Sequence, residues 1–212
     1  MQDMTKLGLL PELIQGLSKM NITVPTKIQQ EVIPAILEGT DVIGRSETGS
    51  GKTFAYLLPL FQKIDLTLKK TQVMILTPTH ELAAQVQKQG ELLARVSGLP
   101  IKSTLIIGGA SMARQIEKLK EKPQIVVGSA GRILDLIQKR KISAHTVQAI
   151  VLDEGDRLLD EQNIQTVQAV IKTTLKQRQL ILLSATIEEE IQKKALEMMK
   201  ENAVTISLEE SF

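Results

Sequence analysis

The sequence has 212 residues, of which 42% are hydrophobic, 24% are charged and 2% are aromatic, and its formal net charge is +2. It contains no cysteine, which excludes disulfide bonds, thiolate zinc sites, iron–sulfur clusters and cysteine nucleophiles. The few aromatic residues argue against a sugar-binding or base-stacking surface built from rings. No basic N-terminal stretch leads into an apolar segment, and no run approaches eighteen apolar residues. We therefore expect a soluble, cytoplasmic, monomeric domain without a membrane partner.

The first forty residues predict a helical extension ahead of the main fold. Apolar spacing predicts helices over residues 11–20 and 26–37, and Pro25-Thr26 is a typical start signal for the second. Such an extension can simply cap the edge of a sheet, so any function it has must come from individual residues.

Short apolar runs rich in β-branched residues recur along the rest of the chain. They are residues 41–44, 73–77, 104–107, 125–128, 149–153, 180–184 and 204–206. The runs do not alternate polar and apolar residues, which indicates strands buried on both faces, and the segments between them have helical periodicity. This pattern predicts one α/β domain over 1–212, with a mostly parallel sheet covered by helices on both faces. Within it, 1–40 is the helical extension and 41–212 the core, and ligands are expected at the carboxyl ends of the strands.

A glycine-rich segment, SETGSGKT at 46–53, follows the first predicted strand and precedes a predicted helix over residues 54–64. Glycines in this context let backbone N–H groups turn toward phosphate oxygens at the positive end of the helix. Lys52 is expected to reach the β- and γ-phosphates, and the Thr53 hydroxyl to hold Mg²⁺. The strict pattern has glycine where this chain has Ser46. The other residues predicted to bind nucleotide here are Thr48, Gly49, Ser50 and Gly51.

An acidic pair, Asp153 and Glu154, ends the predicted strand 149–153. Acidic residues also cap helices. In a chain that also has a phosphate-binding loop (P-loop) such as the segment 46–53, however, an acidic pair at the end of a strand is typical of a magnesium-dependent nucleotide hydrolase. Asp153 is expected to hold Mg²⁺ through water, and Glu154 to orient or deprotonate the attacking water.

The sequence resembles the N-terminal RecA-like domain of DEAD-box RNA helicases over nearly its whole length. The matching motifs, in the family's order and spacing, are PTKIQ at 25–29, GSGKT at 49–53, PTHELAAQ at 78–85, GG at 108–109, SAGR at 129–132, DEGD at 153–156 and SAT at 184–186. The resemblance implies a RecA-like P-loop fold that uses ATP and Mg²⁺ and acts on RNA.

The resemblance also implies roles for individual residues. Gln29 would read the adenine edge through its amide, with Thr26 and Ile22 beside it. Ser184 and Thr186 would link the acidic motif to the rest of the domain through hydroxyl hydrogen bonds. A groove would hold one RNA strand by its sugar-phosphate backbone. The residues implied for that groove are Pro78, Thr79, His80, Gly108, Gly109, Ser129, Gly131 and Arg132.

The chain departs from the family pattern at several motif positions. His80 replaces an arginine, so a permanent phosphate-binding charge is lost, and SAGR replaces TPGR. Gly155 replaces the alanine of the acidic motif, which we expect to leave ATP hydrolysis intact. Ile22 and Met4 stand where the family has aromatic residues near the adenine. We therefore expect weak nucleotide binding by this lobe.

The family closes two lobes on ATP, and no second RecA-like lobe follows the SAT motif in this sequence. We expect the isolated lobe to bind nucleotide, to hydrolyse it poorly and to unwind nothing. Two other interpretations stay open. One is a lobe of another RecA-like helicase or translocase, and the other is a non-catalytic adaptor that uses the fold for docking.

Overall fold

A parallel β-sheet forms the centre of the computed structural model, which describes residues 3–208. The ends of the expected domain, at residues 1 and 212, lie outside the described residues. The sheet has seven strands in the order β3-β4-β2-β5-β6-β1-β7, and every neighbouring pair is parallel. The strands are β1 Val42–Arg45, β2 Val73–Leu76, β3 Ser103–Ile106, β4 Ile125–Gly128, β5 Ala149–Asp153, β6 Gln179–Ser184 and β7 Val204–Ser207. The predicted α/β class and the seven predicted strands are confirmed, with ends displaced by at most one residue.

The α-helices of the described residues precede the first strand or connect successive strands. They are α1 Pro11–Lys19, α2 Lys27–Leu37, α3 Lys52–Lys63, α4 His80–Ser97, α5 Met112–Leu119, α6 Ala130–Gln138, α7 Gly155–Leu158, α8 Ile164–Lys172 and α9 Glu189–Leu196. Short 3₁₀ helices lie at Met4–Leu7 and Ala144–Thr146. No helix in this described part of the chain is both long and apolar enough to cross a membrane.

Helices cover both faces of the sheet. Successive residues of each strand point to opposite sides, so each face presents apolar side chains for the helices to cover. On one face, α1 to α4 pack over a core that includes Ile75 and Val151. On the other, α5 to α9 pack over a core that includes Met74 and Leu152. The outermost strands differ from the central ones: β3 alternates between partly and fully buried residues, and β7 is largely exposed. The expectation of strands buried on both faces therefore fails at these two edges.

The N-terminal extension is part of one helical layer. Helix α1 packs on α4, and α2 packs on α3. Thr26 caps α2 in a reciprocal capping box with Gln29, which explains the predicted start of this helix. Met4 is only 1% exposed and belongs to the core under these helices. The hypothesis that Met4 faces the adenine is therefore not supported, because its side chain is enclosed by the protein.

Helix α9 ends at Leu196. Hydrogen bonds from distant residues replace the helical ones beyond this point. The Arg178 guanidinium donates to the Met198 carbonyl at 2.8 Å, and the Lys200 N–H donates to the Asp41 carboxylate at 2.9 Å. The chain consequently turns toward β7.

Candidate functional site

The glycine-rich loop lies between β1 and α3, at the carboxyl end of the sheet. Gly49 and Gly51 both have left-handed backbone, with φ of +80° and +94°. A Cβ on Gly51 would lie 2.6 Å from the Gln29 amide nitrogen and 2.9 Å from the Thr26 hydroxyl. Glycine is therefore required at position 51, because the backbone there is left-handed and the start of α2 leaves no room for a side chain. Ser50 donates its hydroxyl to the Glu47 carbonyl at 2.6 Å, which tightens the turn.

Lys52 begins α3 and is only 9% exposed. Its ammonium group donates to the carbonyl oxygens of Ser46 and Glu47, both at 2.5 Å. Burial lowers the pKa of Lys52, and the nearby carboxylates of Asp153 and Glu154 oppose this shift. The loop thus holds the ammonium group through its own carbonyls, and a phosphate would have to replace them as acceptor.

Asp153 ends β5 and is 8% exposed. One carboxylate oxygen accepts the Glu154 N–H at 3.1 Å, and the other accepts the Tyr56 hydroxyl at 2.8 Å. Burial raises the pKa of Asp153, while the Tyr56 hydrogen bond and the Lys52 charge oppose the rise. Burial also raises the pKa of Tyr56 well above its ordinary value, so the phenol stays protonated and donates.

Glu154 has left-handed backbone, with φ of +53°, and caps the short helix α7. Its carboxylate pairs with the Arg157 guanidinium at 3.2 Å, three residues later. This pair holds the candidate base at the rim of the site. Sequence reasoning missed Arg157, although its spacing from Glu154 on a helix start was the available signal.

The SAT segment contacts the acidic motif from the end of β6. Thr186 donates its hydroxyl to the Asp156 carboxylate at 2.5 Å. Burial alone would raise the pKa of Asp156, but interactions with Ser184 and Thr186 outweigh it and hold that pKa below its ordinary value. The Ser184 hydroxyl is fully buried and has no hydrogen-bond partner of good geometry among the described residues. The implied link between the two motifs is thus carried by Thr186.

A cavity of about 590 Å³ brings the P-loop and the acidic motif together. Thr48, Gly49, Gly51, Lys52, Thr53, Asp153, Glu154, Asp156 and Arg157 are among its lining residues. Within the described residues, no three His, Cys, Asp or Glu side chains cluster tightly enough to hold a metal by themselves. The Asp153 carboxylate and the Thr53 hydroxyl nevertheless suit Mg²⁺, which prefers hard oxygen ligands and completes its shell with phosphates and water.

Gln29 is buried behind Gly51 and does not line this cavity. Its amide oxygen accepts the Thr26 N–H at 3.0 Å, and its amide nitrogen donates to the Gly51 carbonyl at 3.1 Å. The amide oxygen of Gln29 keeps a second lone pair and the amide nitrogen keeps a second hydrogen. Gln29 therefore retains one acceptor and one donor that could pair with an adenine edge. Ile22 is partly buried and packs against the core near α1.

The residues implied for RNA lie on three loops at neighbouring strand ends. Pro78 and Thr79 follow β2, Gly108 and Gly109 follow β3, and Ser129 opens α6 after β4. Since β3, β4 and β2 are adjacent in the sheet, their loops share one edge. His80 lies next to Gly108, whose Cβ position would be 3.6 Å from the imidazole nitrogen Nε2. The N-termini of α4, α5 and α6 open at this edge, which favours anions there.

The Gly108–Gly109 loop is braced by two side chains. Arg132 donates to the Ala110 carbonyl at 3.1 Å, so its guanidinium shapes the loop as well as supplying charge. Gln115 donates to the Ile107 carbonyl at 2.9 Å from a buried position on α5. Sequence reasoning missed Gln115, because nothing in its neighbourhood distinguishes it from a surface glutamine. Gly131 is exposed and has open space beside it.

Replacing Gly155 by alanine is expected to lower the free energy of unfolding by about 1 kcal/mol. The new Cβ would lie 2.4 Å from Leu182 Cγ, in a buried position. Overpacking costs about 1–3 kcal/mol, which exceeds the 0.5–1 kcal/mol gained by removing a helical glycine. Chemical denaturation of Gly155→Ala checks this, and the same substitution should cost less in a Leu182→Ala background, where Cγ and both Cδ atoms are gone. A variant more stable than wild type, or one with strongly altered ATP affinity, would contradict the expectation.

Comparison with known proteins gives a consistent result. A protein-family model described as DEAD/DEAH box helicase matches residues 26–194. The chain is 46% identical over 177 residues to the DEAD-box ATP-dependent RNA helicase CshC of Bacillus cereus, covering 84% of this chain and 45% of that protein. It is 39% identical over 180 residues to the probable ATP-dependent RNA helicase YfmL of Bacillus subtilis, covering 85% of this chain and 47% of that protein. The chain thus spans about half the length of these relatives.

Solved structures show the same likeness. A DEAD box protein from the hyperthermophile Methanococcus jannaschii superimposes with a TM-score of 0.91 at 31% identity, covering 98% of this chain and 56% of that one. Dbp5 of S. cerevisiae, solved bound to RNA and ADP BeF3, superimposes with a TM-score of 0.86 at 29% identity, covering 99% of this chain and 52% of that one. These matches confirm the expected RecA-like fold.

Proposed function

The chain belongs to the DEAD/DEAH box helicase family, and on that premise we propose that it is the N-terminal, ATP-binding lobe of an ATP-dependent RNA helicase. The observation that carries this proposal is the cavity in which Lys52 and Thr53 face Asp153 and Glu154. Phosphate-binding and acid–base groups meet there at the carboxyl ends of parallel strands, which is where α/β enzymes bind ligands.

Lys52 binds the β- and γ-phosphates in this proposal, and the backbone of residues 48–51 surrounds them. The P-loop also receives the positive end of α3, which favours the phosphate charge. The carbonyls of Ser46 and Glu47 release the ammonium group when phosphate arrives.

Thr53 and Asp153 would hold Mg²⁺, which when bound neutralises charge on the phosphates. Glu154 orients the attacking water and accepts its proton, and the Arg157 pair keeps this carboxylate at the cavity rim. The hydrogen bond from Thr186 to Asp156 couples the acidic motif to the SAT segment at the end of β6.

Replacing Ile22 by phenylalanine is expected to raise ATP affinity about 2- to 10-fold, because an aromatic face adds about 0.5–1.5 kcal/mol of stacking on adenine. The proposal places Gln29, Thr26 and Ile22 around the base, consistent with the contacts of Gln29 and Thr26 with Gly51. Titration of ATP against both proteins measures the change, with GTP as a control nucleotide that lacks the adenine edge. Equal ATP affinity for wild type and Ile22→Phe would contradict the proposed placement of Ile22 beside the adenine.

RNA would bind across the loops after β2, β3 and β4, through its sugars and phosphates. Two features support this location. Strands β3, β4 and β2 are neighbours in the sheet, so the loops that follow them lie side by side, and the N-termini of α4, α5 and α6 favour anions there. The edge carries glycine N–H groups, hydroxyls and Arg132, which suit backbone contacts and read no base sequence. His80 stands at this edge where the family has an arginine with a permanent charge.

A second RecA-like lobe completes the enzyme in this proposal, by closing over the ATP and the RNA. The chain spans about half the length of its relatives. By itself, residues 1–212 would bind nucleotide and hydrolyse it slowly, as a monomer, without unwinding RNA.

The test is ATP turnover by the protein carrying both lobes, measured with single-stranded RNA, with single-stranded DNA and with neither. We expect turnover to be stimulated by RNA and much less by DNA. Equal stimulation by both would favour a lobe of another RecA-like translocase. No ATP binding by the 212-residue chain or by the longer protein would remove the proposed function.

A further inference from the structure

Tyr56 occupies an unusual position for a core aromatic residue. It is fully buried on α3, and its ring belongs to the core beneath α1 to α4. Its hydroxyl, however, reaches across to the end of β5 and donates to Asp153 Oδ2 at 2.8 Å.

With this hydrogen bond, each oxygen of the Asp153 carboxylate accepts one hydrogen bond. Oδ1 accepts the Glu154 N–H and Oδ2 accepts the Tyr56 hydroxyl, so two donors set the orientation of the group. Thr53, the other residue suited to Mg²⁺, lies one turn before Tyr56 on the same helix.

The rigidity of Tyr56 gives this contact its significance. A fully buried ring cannot change rotamer without disturbing the core, so its hydroxyl is held in place relative to α3. The same helix carries Lys52 and Thr53 at its first turn. Tyr56 thus ties the position of Asp153 to the helix that presents the phosphate-binding side chains.

We propose that Tyr56 is a positioning residue for the magnesium–nucleotide complex, acting through the Asp153 carboxylate. The inference rests on the proposed function, because it concerns how this ATP site holds Mg²⁺. Without the phenol, the Asp153 carboxylate can rotate, so the orientation in which it would hold Mg²⁺ is no longer fixed. The effect falls on Mg²⁺-dependent binding and leaves the metal-free contacts of nucleotide unchanged.

The test compares wild type with Tyr56→Phe, which removes one hydroxyl and keeps the ring. Binding of a fluorescent ATP analogue is measured over a Mg²⁺ titration and, separately, in EDTA. We expect the Mg²⁺ concentration for half-maximal binding to rise about 10-fold or more in Tyr56→Phe, in line with the loss of an outer-shell partner. Affinity in EDTA should stay within about twofold of wild type, because the phenol touches no metal-free contact of the nucleotide.

Thr71→Val is a matched control, because it also deletes a buried hydroxyl with one hydrogen bond, from Thr71 to the Pro123 carbonyl. This hydroxyl precedes β2, at the end of the sheet away from the P-loop. Its Mg²⁺ titration should match that of wild type. Thermal unfolding of each variant reports any general loss of stability.

A double-mutant cycle separates positioning from a general structural effect. In an Asp153→Asn background, Tyr56→Phe should produce no further change in the Mg²⁺ titration, because the partner of the phenol is already altered. The proposal would be overturned by an unchanged Mg²⁺ titration in Tyr56→Phe, by equal losses of affinity in Mg²⁺ and in EDTA, or by additive effects in the cycle. If wild type itself binds ATP no better with Mg²⁺ than in EDTA, the proposed metal site fails, and the role of Tyr56 fails with it.

Discussion

ATP affinity is expected to fall roughly 10- to 100-fold when Lys52 is replaced by alanine, because a hydrogen bond from a charged donor contributes about 1.5–3 kcal/mol. Lys52 is buried at the start of α3, and its ammonium group lies between the loop carbonyls and the acidic motif. Its removal leaves the phosphates without their cation and Asp153 without its nearest positive charge. ATP titration of the 212-residue chain measures the loss, and turnover by the two-lobed protein should fall to the background rate.

Lys63→Ala is the matched control for Lys52→Ala. Lys63 lies at the other end of α3, is also partly buried, and donates to the Ile36 carbonyl and the Gln179 amide oxygen. Its replacement should lower stability and leave ATP affinity unchanged. An equal loss of affinity in both variants would mean that Lys52 acts through folding and not through phosphate.

The same substitution distinguishes an enzyme from an adaptor. A protein that used this fold only for docking would keep its biological activity after Lys52→Ala, because no docking surface needs a buried ammonium group beside an acidic pair. The adaptor interpretation is motivated by four departures from the family pattern, at His80, Ala130, Gly155 and Ile22. The intact contacts of Lys52, Asp153 and Thr186 oppose it.

Replacing Gly128 by alanine is expected to destabilise the fold by about 3 kcal/mol or more, at the upper end of overpacking costs. Gly128 ends β4 and pairs with Ile106 at the end of β3. An added Cβ would lie 1.7 Å from the Ile106 carbonyl oxygen and 2.6 Å from its carbon. Because these are backbone atoms, β3 would have to move away from β4. Denaturant-induced unfolding measures the loss.

Gly131→Ala is the control for Gly128→Ala, three residues along the chain. An added Cβ there would meet no described atom within 4 Å, and Gly131 lies in the first turn of α6. Its stability should stay within about 0.5 kcal/mol of wild type. Wild-type stability of Gly128→Ala would contradict the close approach of the two strands. If Gly128→Ala folds, its displaced β3 should also weaken RNA binding, since β3 leads into Gly108 and Gly109.

The order of the strands separates the two ligand sites that we propose. The loops after β3, β4 and β2 form one side of the carboxyl edge, and β1 with its P-loop lies on the other. Strands β5 and β6 lie between them and carry the acidic motif and the SAT segment. A hydrogen bond from Thr186 to Asp156 links these two middle segments.

The sequence by itself predicted the α/β class and the seven strands, and it singled out Lys52, Asp153 and Glu154, which line one cavity in the structure. These predictions rest on contiguous residues: β-branched runs that suit buried strands, glycines that allow left-handed backbone, and charges placed directly after a strand. Helix ends were less predictable. Helix α3 begins at Lys52, two residues before the predicted start, because Gly51 takes the left-handed conformation just before it.

Only the tertiary structure decided which distant residues meet. Tyr56 and Asp153 are 97 positions apart, and nothing around Tyr56 distinguishes it from an ordinary core residue. The end of α9 depends on Arg178 and Asp41, and the Met4 side chain is enclosed by helices that follow it in the chain. Such contacts form when the strands take their order in the sheet, and that order depends on how whole helical layers pack. Local patterns therefore predict which chemical groups the protein has, and packing decides how those groups are held.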